Sequence, residues 1–248
     1  MKFLKNPNLP SGRVCMTAVG CAYPSIHSAL SARNIESIKI QRNNYIQPPI
    51  SCHADMTIHH LRDNYILIAK NESKTFIHLQ KAGFQCNYIS KPMHQDYPND
   101  VLLNACRIGD LLLCNTKVIS REILDYSYKN RINVKHVNQG YTKCSVCIVN
   151  KNAVITSDKQ IAKICSGCNI DVLEIRPGYI ELEGLSYGFI GGCTGLLDKN
   201  LLAFTGNIES HPDSNDIKKF LKDHCMQFIC LQDGALVDIG GIIPLLEE

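Results

Sequence analysis

Several side chains have the type and setting that ligand-gripping or bond-making chemistry needs. His53 and Asp55 lie two residues apart. On a strand that spacing puts both on one face, so a proton shuttle and an anion would share a pocket. The plainer reading is a strand cap and a turn hydrogen bond. Cys144 follows Lys143, and a neighbouring ammonium favours the nucleophilic thiolate. Cys193 sits in Gly191-Gly192-Cys193-Thr194-Gly195, where glycines let a backbone approach a ligand closely. For both cysteines the alternative is a small buried hydrophobe. Asp238 stands among apolar neighbours, and a buried carboxylate needs a partner or a ligand. Lys143 is one such partner, which would make a structural ion pair. His211, in Ser210-His211-Pro212-Asp213, precedes a helix that Asp213 or Ser214 would cap, and it too could reach the same place.

Metal and cofactor patterns are weak by comparison. Cys144 and Cys147 are three apart on a predicted strand and face opposite ways. Cys165 and Cys168 form a CxxC with no second pair, whereas structural zinc takes four ligands. His59 and His60 alternate faces. There is no P-loop, no GxGxxG and no GxSxG, the motifs that hold phosphates, dinucleotides or a serine nucleophile. The sequence predicts no metal and no organic cofactor.

A repeated unit must position these residues. It runs strand, short polar turn, strand, helix, strand. In its clearest copy, 144–149 and 153–156 flank Lys151-Asn152, a helix capped by Ser157 or Asp158 runs through Ile164 and ends at Gly167, and 170–175 is the third strand. Other hairpins are predicted at 55–61 with 65–69, 101–108 with 111–114, and 189–197 with 201–205. Their turns are rich in Asn, Asp and Gly, which tolerate the positive φ of tight hairpins. Helices at 73–82, 119–129 and 215–223 follow, and then strands at 84–89, 132–137 and 226–231. The first unit, with a strand at 13–19, a helix at 25–33 and a strand at 35–40, lacks one strand, and 235–246 supplies it from the other end of the chain. Hairpins open every 42 to 47 residues, roughly, and a closed ring of five such units removes free sheet edges. The competing architecture is an open doubly wound sheet, whose single strands alternating with helices do not match four hairpins.

Five ββαβ units with a terminus-closed first unit resemble the pentein fold, the five-bladed β/α propeller of the guanidino-group modifying enzymes. Several segments resemble a bacterial family of that fold without an assigned activity: His53-Ala54-Asp55-Met56, Asn138 through Cys147, Ile155 to Asp158, Gly188 to Gly192, Ser210 to Asp213 and Asp238-Ile239-Gly240. The resemblance implies an α/β fold of the amidinotransferase and deiminase superfamily. It also implies a central site in which a Cys attacks, a His shuttles protons and carboxylates grip a guanidinium. Paired carboxylates suit that planar cation, and His53-Ala54-Asp55 fits the H-x-(D/E) pattern. The superfamily nucleophile lies on the closing strand, yet 237–245 here contains no Cys, Ser or Thr.

The composition is that of an ordinary globular protein: 248 residues, 45% hydrophobic and 20% charged. The net charge of +3 gives no reason to expect nucleic acid. No apolar run is long enough for a bilayer, so no membrane partner is expected. The thirteen cysteines read as reduced thiols and the location as cytoplasmic. Residues 1–12 are expected to be a loosely packed arm and 13–248 one domain. Long loops at 41–51 and 90–99 are placed to line a site.

Two functions follow. One is a central pocket that binds or acts on a guanidino or amidino C–N compound. His53 would be the acid/base, Cys144 a displaced nucleophile, and Asp55, Lys143, Asp238, Cys193 and His211 the binding residues. The other is a non-catalytic binding or assembly module with a protein partner, like the ribosome anti-association factor of the same fold.

Overall fold

A computed structural model describes residues 1–70 and 72–248. The chain begins with β1 (Lys2–Phe3), β2 (Val14–Gly20), α1 (Pro24–Ser31) and β3 (Glu36–Ile40). A single helical turn, α2 (Ala54–Thr57), leads into β4 (Ile58–Arg62), β5 (Tyr65–Ile68), α3 (Ser73–Lys81) and β6 (Gln85–Tyr88). The third unit is β7 (Cys106–Ile108), β8 (Leu111–Cys114), α4 (Arg121–Lys129) and β9 (Asn133–His136). The fourth is β10 (Val146–Asn150), β11 (Ala153–Thr156), α5 (Lys159–Gly167) and β12 (Asp171–Glu174). The fifth is β13 (Thr194–Asp198), β14 (Leu201–Phe204), α6 (Ser214–Asp223) and β15 (Gln227–Cys230). The last strand, β16 (Ile243–Glu247), pairs antiparallel with β2 and completes the first sheet, in the order β1-β16-β2-β3.

Each of the other four sheets has three strands: an antiparallel hairpin, then a parallel strand returned by the helix. The middle strands β8 and β11 are buried along their whole length, because a helix or neighbouring sheet covers both faces. The third strands β6, β9 and β12 carry polar residues and are exposed or half-buried along their length, which suits an outer edge that must not pair with another chain. Asp158 caps α5 by accepting from the N–H groups of Gln160 and Ile161, both at 2.9 Å. Asp213 stands at the N-terminus of α6 but caps nothing; its carboxylate instead binds Arg176 at 2.6 and 2.8 Å.

The core shows the ring most directly. Among the described residues, buried apolar side chains fall into five clusters, each shared by two successive units. Ile38 and Ile40 pack with Ile66 and Ile68 between the first and second, and Leu61 and Leu67 with Leu112 and Cys114 between the second and third. Ile108 and Leu113 meet Ile148 and Val154, and Cys147 and Ile155 meet Leu202 and Phe204. The cycle closes where Leu197 and Ala203 meet Val14, Val19 and Leu30.

Two expectations change. The inner hairpin strands begin later than predicted, because the residues before them are short turns. Local bonds close these turns: Met56 N–H to His53 O, Asn104 to Val101, Ser145 to Tyr141 and Gly192 to Phe189, at 3.0 to 3.2 Å. Their apolar residues are buried, which gives them the composition of strands without the geometry. Residues 1–12 are also not loosely packed. Phe3 meets Phe84 edge-on, Leu4 is fully buried, and β1 pairs with β16. Ser11 and Gly12 donate their N–H groups to Glu247. Among the described residues no helix is long and apolar enough to cross a membrane.

Candidate functional site

The short turns that precede the inner strands meet on the ring axis, and that meeting assembles the candidate site. The second unit contributes His53 and Asp55, the third Asn104, the fourth Lys143 and Cys144, the fifth Gly191 and Gly192, and the closing segment Asp238, Gly240 and Gly241. His53 and Asp55 are not on a strand as expected: they are the N-cap and first turn of α2. Both still point inward, because Asp55 N–H is held by Gly240 O at 3.3 Å.

Asn104, fully buried, ties the turns together. Its carbonyl accepts the N–H groups of Lys143 at 2.7 Å and Cys144 at 3.3 Å. Its amide donates to Asp55 O and to Cys144 Sγ, each at 3.2 Å. The Cys144 thiol in turn donates to Asp55 Oδ2 at 2.9 Å. Lys143 Nζ donates to Gly191 O at 3.4 Å. Asp238 accepts from Phe189 N–H at 2.9 Å and from Gly240 N–H at 3.0 Å, and its Oδ1 lies 3.7 Å from His53 Nδ1. Tyr23 OH lies 3.4 Å from His53 Nε2. Among the described residues, His53 Nδ1 and Asp55 Oδ1 find no hydrogen-bond partner. The glycines are steric requirements here. A Cβ at Gly192 would collide with the Asp238 carboxylate, and one at Gly240, where φ is +75°, with His53.

Burial dominates the titration of this group. It pushes Asp55 up to about 7, against the nearby Lys143 ammonium. It lowers His53, with Asp238 opposing. It raises Cys144 well above the usual thiol range, and Asp55 and Asp238 add to the effect. The expectation that Lys143 would make Cys144 a thiolate is therefore reversed: desolvation and two carboxylates outweigh one ammonium. One ligand atom each from His53, Asp55 and Cys144 lie within 4.8 Å of one another, which is the candidate metal set among the described residues. A cation there would have to break the Cys144–Asp55 bond and compete with Lys143.

Open space lies on both sides of this layer. On the loop side is a cleft of about 450 Å³, lined by Tyr23, Arg42, Cys52, Glu183 and Asp238. On the strand side is a cavity of only about 20 Å³, closed by Pro7 and Asn8 against Asp55, His59, His60 and Lys143. Of the predicted residues, His53, Asp55, Lys143, Cys144 and Asp238 come together. Cys193 does not join them. It lies in the core between the fourth and fifth units, with its thiol on Ile190 O at 3.2 Å. His211 is engaged elsewhere, between Arg176 O at 3.2 Å and Asp213 N–H at 3.1 Å, with Tyr179 edge-on. Asn104, Tyr23, Cys52 and Glu183 were not anticipated, while Arg42 comes from the 41–51 loop expected to line a site. The repeat held a signal for Asn104, which sits two residues before its inner strand, as Cys144 does.

The sequence profile of a family of unknown function (DUF6873) matches residues 19–243. The chain belongs to that family. No curated protein matches it. Solved structures do. Dimethylarginine dimethylaminohydrolase (DDAH) from Pseudomonas aeruginosa, a cysteine-to-serine variant complexed with citrulline, superposes with a TM-score of 0.60 at 7% identity, covering 94% of this chain and 100% of that one. Inosamine-phosphate amidinotransferase from Streptomyces griseus gives 0.59 at 9% identity, covering 93% and 91%. C. jejuni agmatine deiminase gives 0.53 at 11%, covering 94% and 90%. At these identities the likeness establishes the fold: the family member described here is a pentein, with five ββαβ units and a first blade closed by the C-terminal strand.

Proposed function

We propose that this pentein binds a small molecule with a cationic guanidino or amidino group, and that the cleft above the turn layer receives it. The carrying observation is Asp238. It is buried at the cleft floor, its carboxylate fixed by two backbone N–H groups, with His53 behind it. A carboxylate held this way has lone pairs left for a planar cation. Glu183 offers a second anion at the rim and Arg42 a cation for a carboxylate at the ligand's other end. The volume suits a molecule of amino-acid size. The structural neighbours that act on guanidino compounds support the same ligand class.

Binding without bond cleavage is the better-supported form. The closing strand carries Pro244 and apolar residues but no thiol, and Cys144 is held as a buried thiol bonded to Asp55. A concave cleft also favours a small molecule over a flat protein partner. The test is calorimetry with arginine, agmatine and citrulline on the wild type, Asp238→Asn and Glu183→Gln. Binding of a cationic member, lost in Asp238→Asn and weakened in Glu183→Gln, is expected. Binding that survives Asp238→Asn in a folded protein sinks the reading. Release of ammonia from arginine or agmatine would move it to catalysis.

A further inference from the structure

Of thirteen thiols, Cys21 and Cys52 alone hydrogen-bond to each other among the described residues, with their sulfurs 3.7 Å apart. They come from segments distant in sequence. Cys21 follows β2, its N–H bound to Ile40 O at 2.8 Å, and Cys52 closely follows the 3-10 turn Pro48–Ile50. The two backbones touch: a Cβ on Gly20 would collide with Cys52 O. Cys21 is partly exposed, while Cys52 is 4% exposed and lines the cleft wall. A disulfide needs the sulfurs at about 2.05 Å, so side-chain rotation must close a gap of less than ~2 Å.

We propose that Cys21 and Cys52 are a modification site, a reversible disulfide on the wall of the cleft formed by a peroxide. The Cys21 thiolate attacks a peroxide oxygen. The O–O bond breaks, a sulfenic acid forms and hydroxide leaves to become water. The Cys52 sulfur then attacks the Cys21 sulfur, the S–O bond breaks, and a second water carries away the oxygen. Two thiols and one hydrogen peroxide give one disulfide and two waters, and a small dithiol reverses the change. Burial and the adjacent Cys21 push the Cys52 thiol up to about 11, consistent with Cys52 as the resolving partner and Cys21 as the sulfur oxidised first. The bond would join the segments that carry Tyr23 and His53, whose side chains already meet. Oxidation therefore stiffens one wall of the cleft. This inference does not depend on the ligand proposed above.

The test uses the full chain with Cys225→Ser, which removes an exposed thiol able to cross-link copies. Hydrogen peroxide is added at several-fold excess, and peptide-mapped alkylation follows each cysteine. A Cys21–Cys52 linked peptide is expected, with a mass loss of two hydrogens, reversal by dithiothreitol, and protection of both thiols at least ~10-fold faster than any other pair. In Cys52→Ser a dimedone-trapped sulfenic acid at Cys21 should accumulate, and amide exchange at 20–23 should slow only in the oxidised protein that retains both cysteines. Over-oxidation of Cys21 to sulfinic acid while Cys52 stays free would overturn the proposal. So would scattered disulfides, or equal alkylation of the pair before and after peroxide.

Discussion

The two sides of the turn layer use the same kinds of residue to opposite ends. On the strand side, Asp55 and Lys143 face a space of about 20 Å³ that Pro7 and Asn8 close off. On the loop side, Asp238, Glu183 and Arg42 face a cleft of about 450 Å³. Asp55 is a hydrogen-bond acceptor for a thiol, whereas Asp238 is held by backbone N–H groups beside free volume. A carboxylate on a pentein axis is thus not by itself a substrate grip. What decides its role is whether space remains in front of it. By that criterion the sealed side maintains the fold, and the open side is the one that would receive the proposed ligand.

The largest effect that sharpens this contrast is expected at Asn104. Replacing it with Leu keeps the volume but strands the N–H groups of Lys143 and Cys144 and the carbonyl of Asp55, all of them buried. Each unpaired buried group costs about 1–3 kcal/mol, so Asn104→Leu should lose at least ~3 kcal/mol in urea denaturation. A loss under ~1 kcal/mol would mean that the turns hold themselves and that Asn104 is there for something else.

A smaller effect comes from Asp55, through pH. Burial raises its folded value from 3.8 to about 7. Between these values the unfolded chain has given up a proton that the folded one keeps, so wild-type stability falls as pH rises from about 4 to 7 and is level above. The full shift corresponds to roughly 4 kcal/mol. His53 acts in the opposite sense, since its lowered value costs stability as pH falls below 6.5, but the wild type and Asp55→Asn share that contribution. The difference between their stability–pH curves should isolate the Asp55 slope. Parallel curves would show that Asp55 is ionised in the folded protein and that the sealed side is not what burial makes it.

The hairpins were legible because two-residue polar turns interrupt apolar runs. The bounds of β8 and β11 agree with the reading of 111–114 and 153–156, where β-branched or leucine-rich runs have nowhere else to go. The inner strands were read too long, since residues such as Leu102, Leu103 and Ile190 are buried in turns and periodicity cannot separate a buried turn from a buried strand. His53, Asp55, Lys143 and Cys144 were found by their position before a hairpin, which the ring converts into proximity. Asn104 occupies the same position, but an Asn near a turn looks like turn chemistry. His211 failed for the complementary reason. One partner, Asp213, lies in the same segment, but the other, Arg176, is distant in sequence, and nothing local to Ser210-His211-Pro212-Asp213 reveals it. Leu4 and Leu9 were lost among prolines and a glycine that suggested a loose arm.

The smallest effects on stability, and the most informative about function, belong to the open side. Arg42 is exposed and bonds Ser51 Oγ at 2.8 Å, and Glu183 is exposed at the rim. Substitutions at such positions stay within about 0.5 kcal/mol, so Arg42→Ala and Glu183→Gln should denature with the wild type. Each would remove one charge-assisted contact to the ligand proposed above, a loss of roughly tenfold in affinity or more. Arg42→Ala should weaken arginine but not agmatine, because agmatine has no carboxylate for Arg42 to meet. Glu183→Gln should weaken both. If Arg42→Ala instead destabilises the fold by more than ~1 kcal/mol, its bond to Ser51 is structural, and the division between a sealed side that holds the ring and an open side that meets the ligand does not stand. If it weakens both ligands equally, Arg42 shapes the cleft rather than reading the ligand, and the orientation with the cation at Asp238 loses its anchor at the other end.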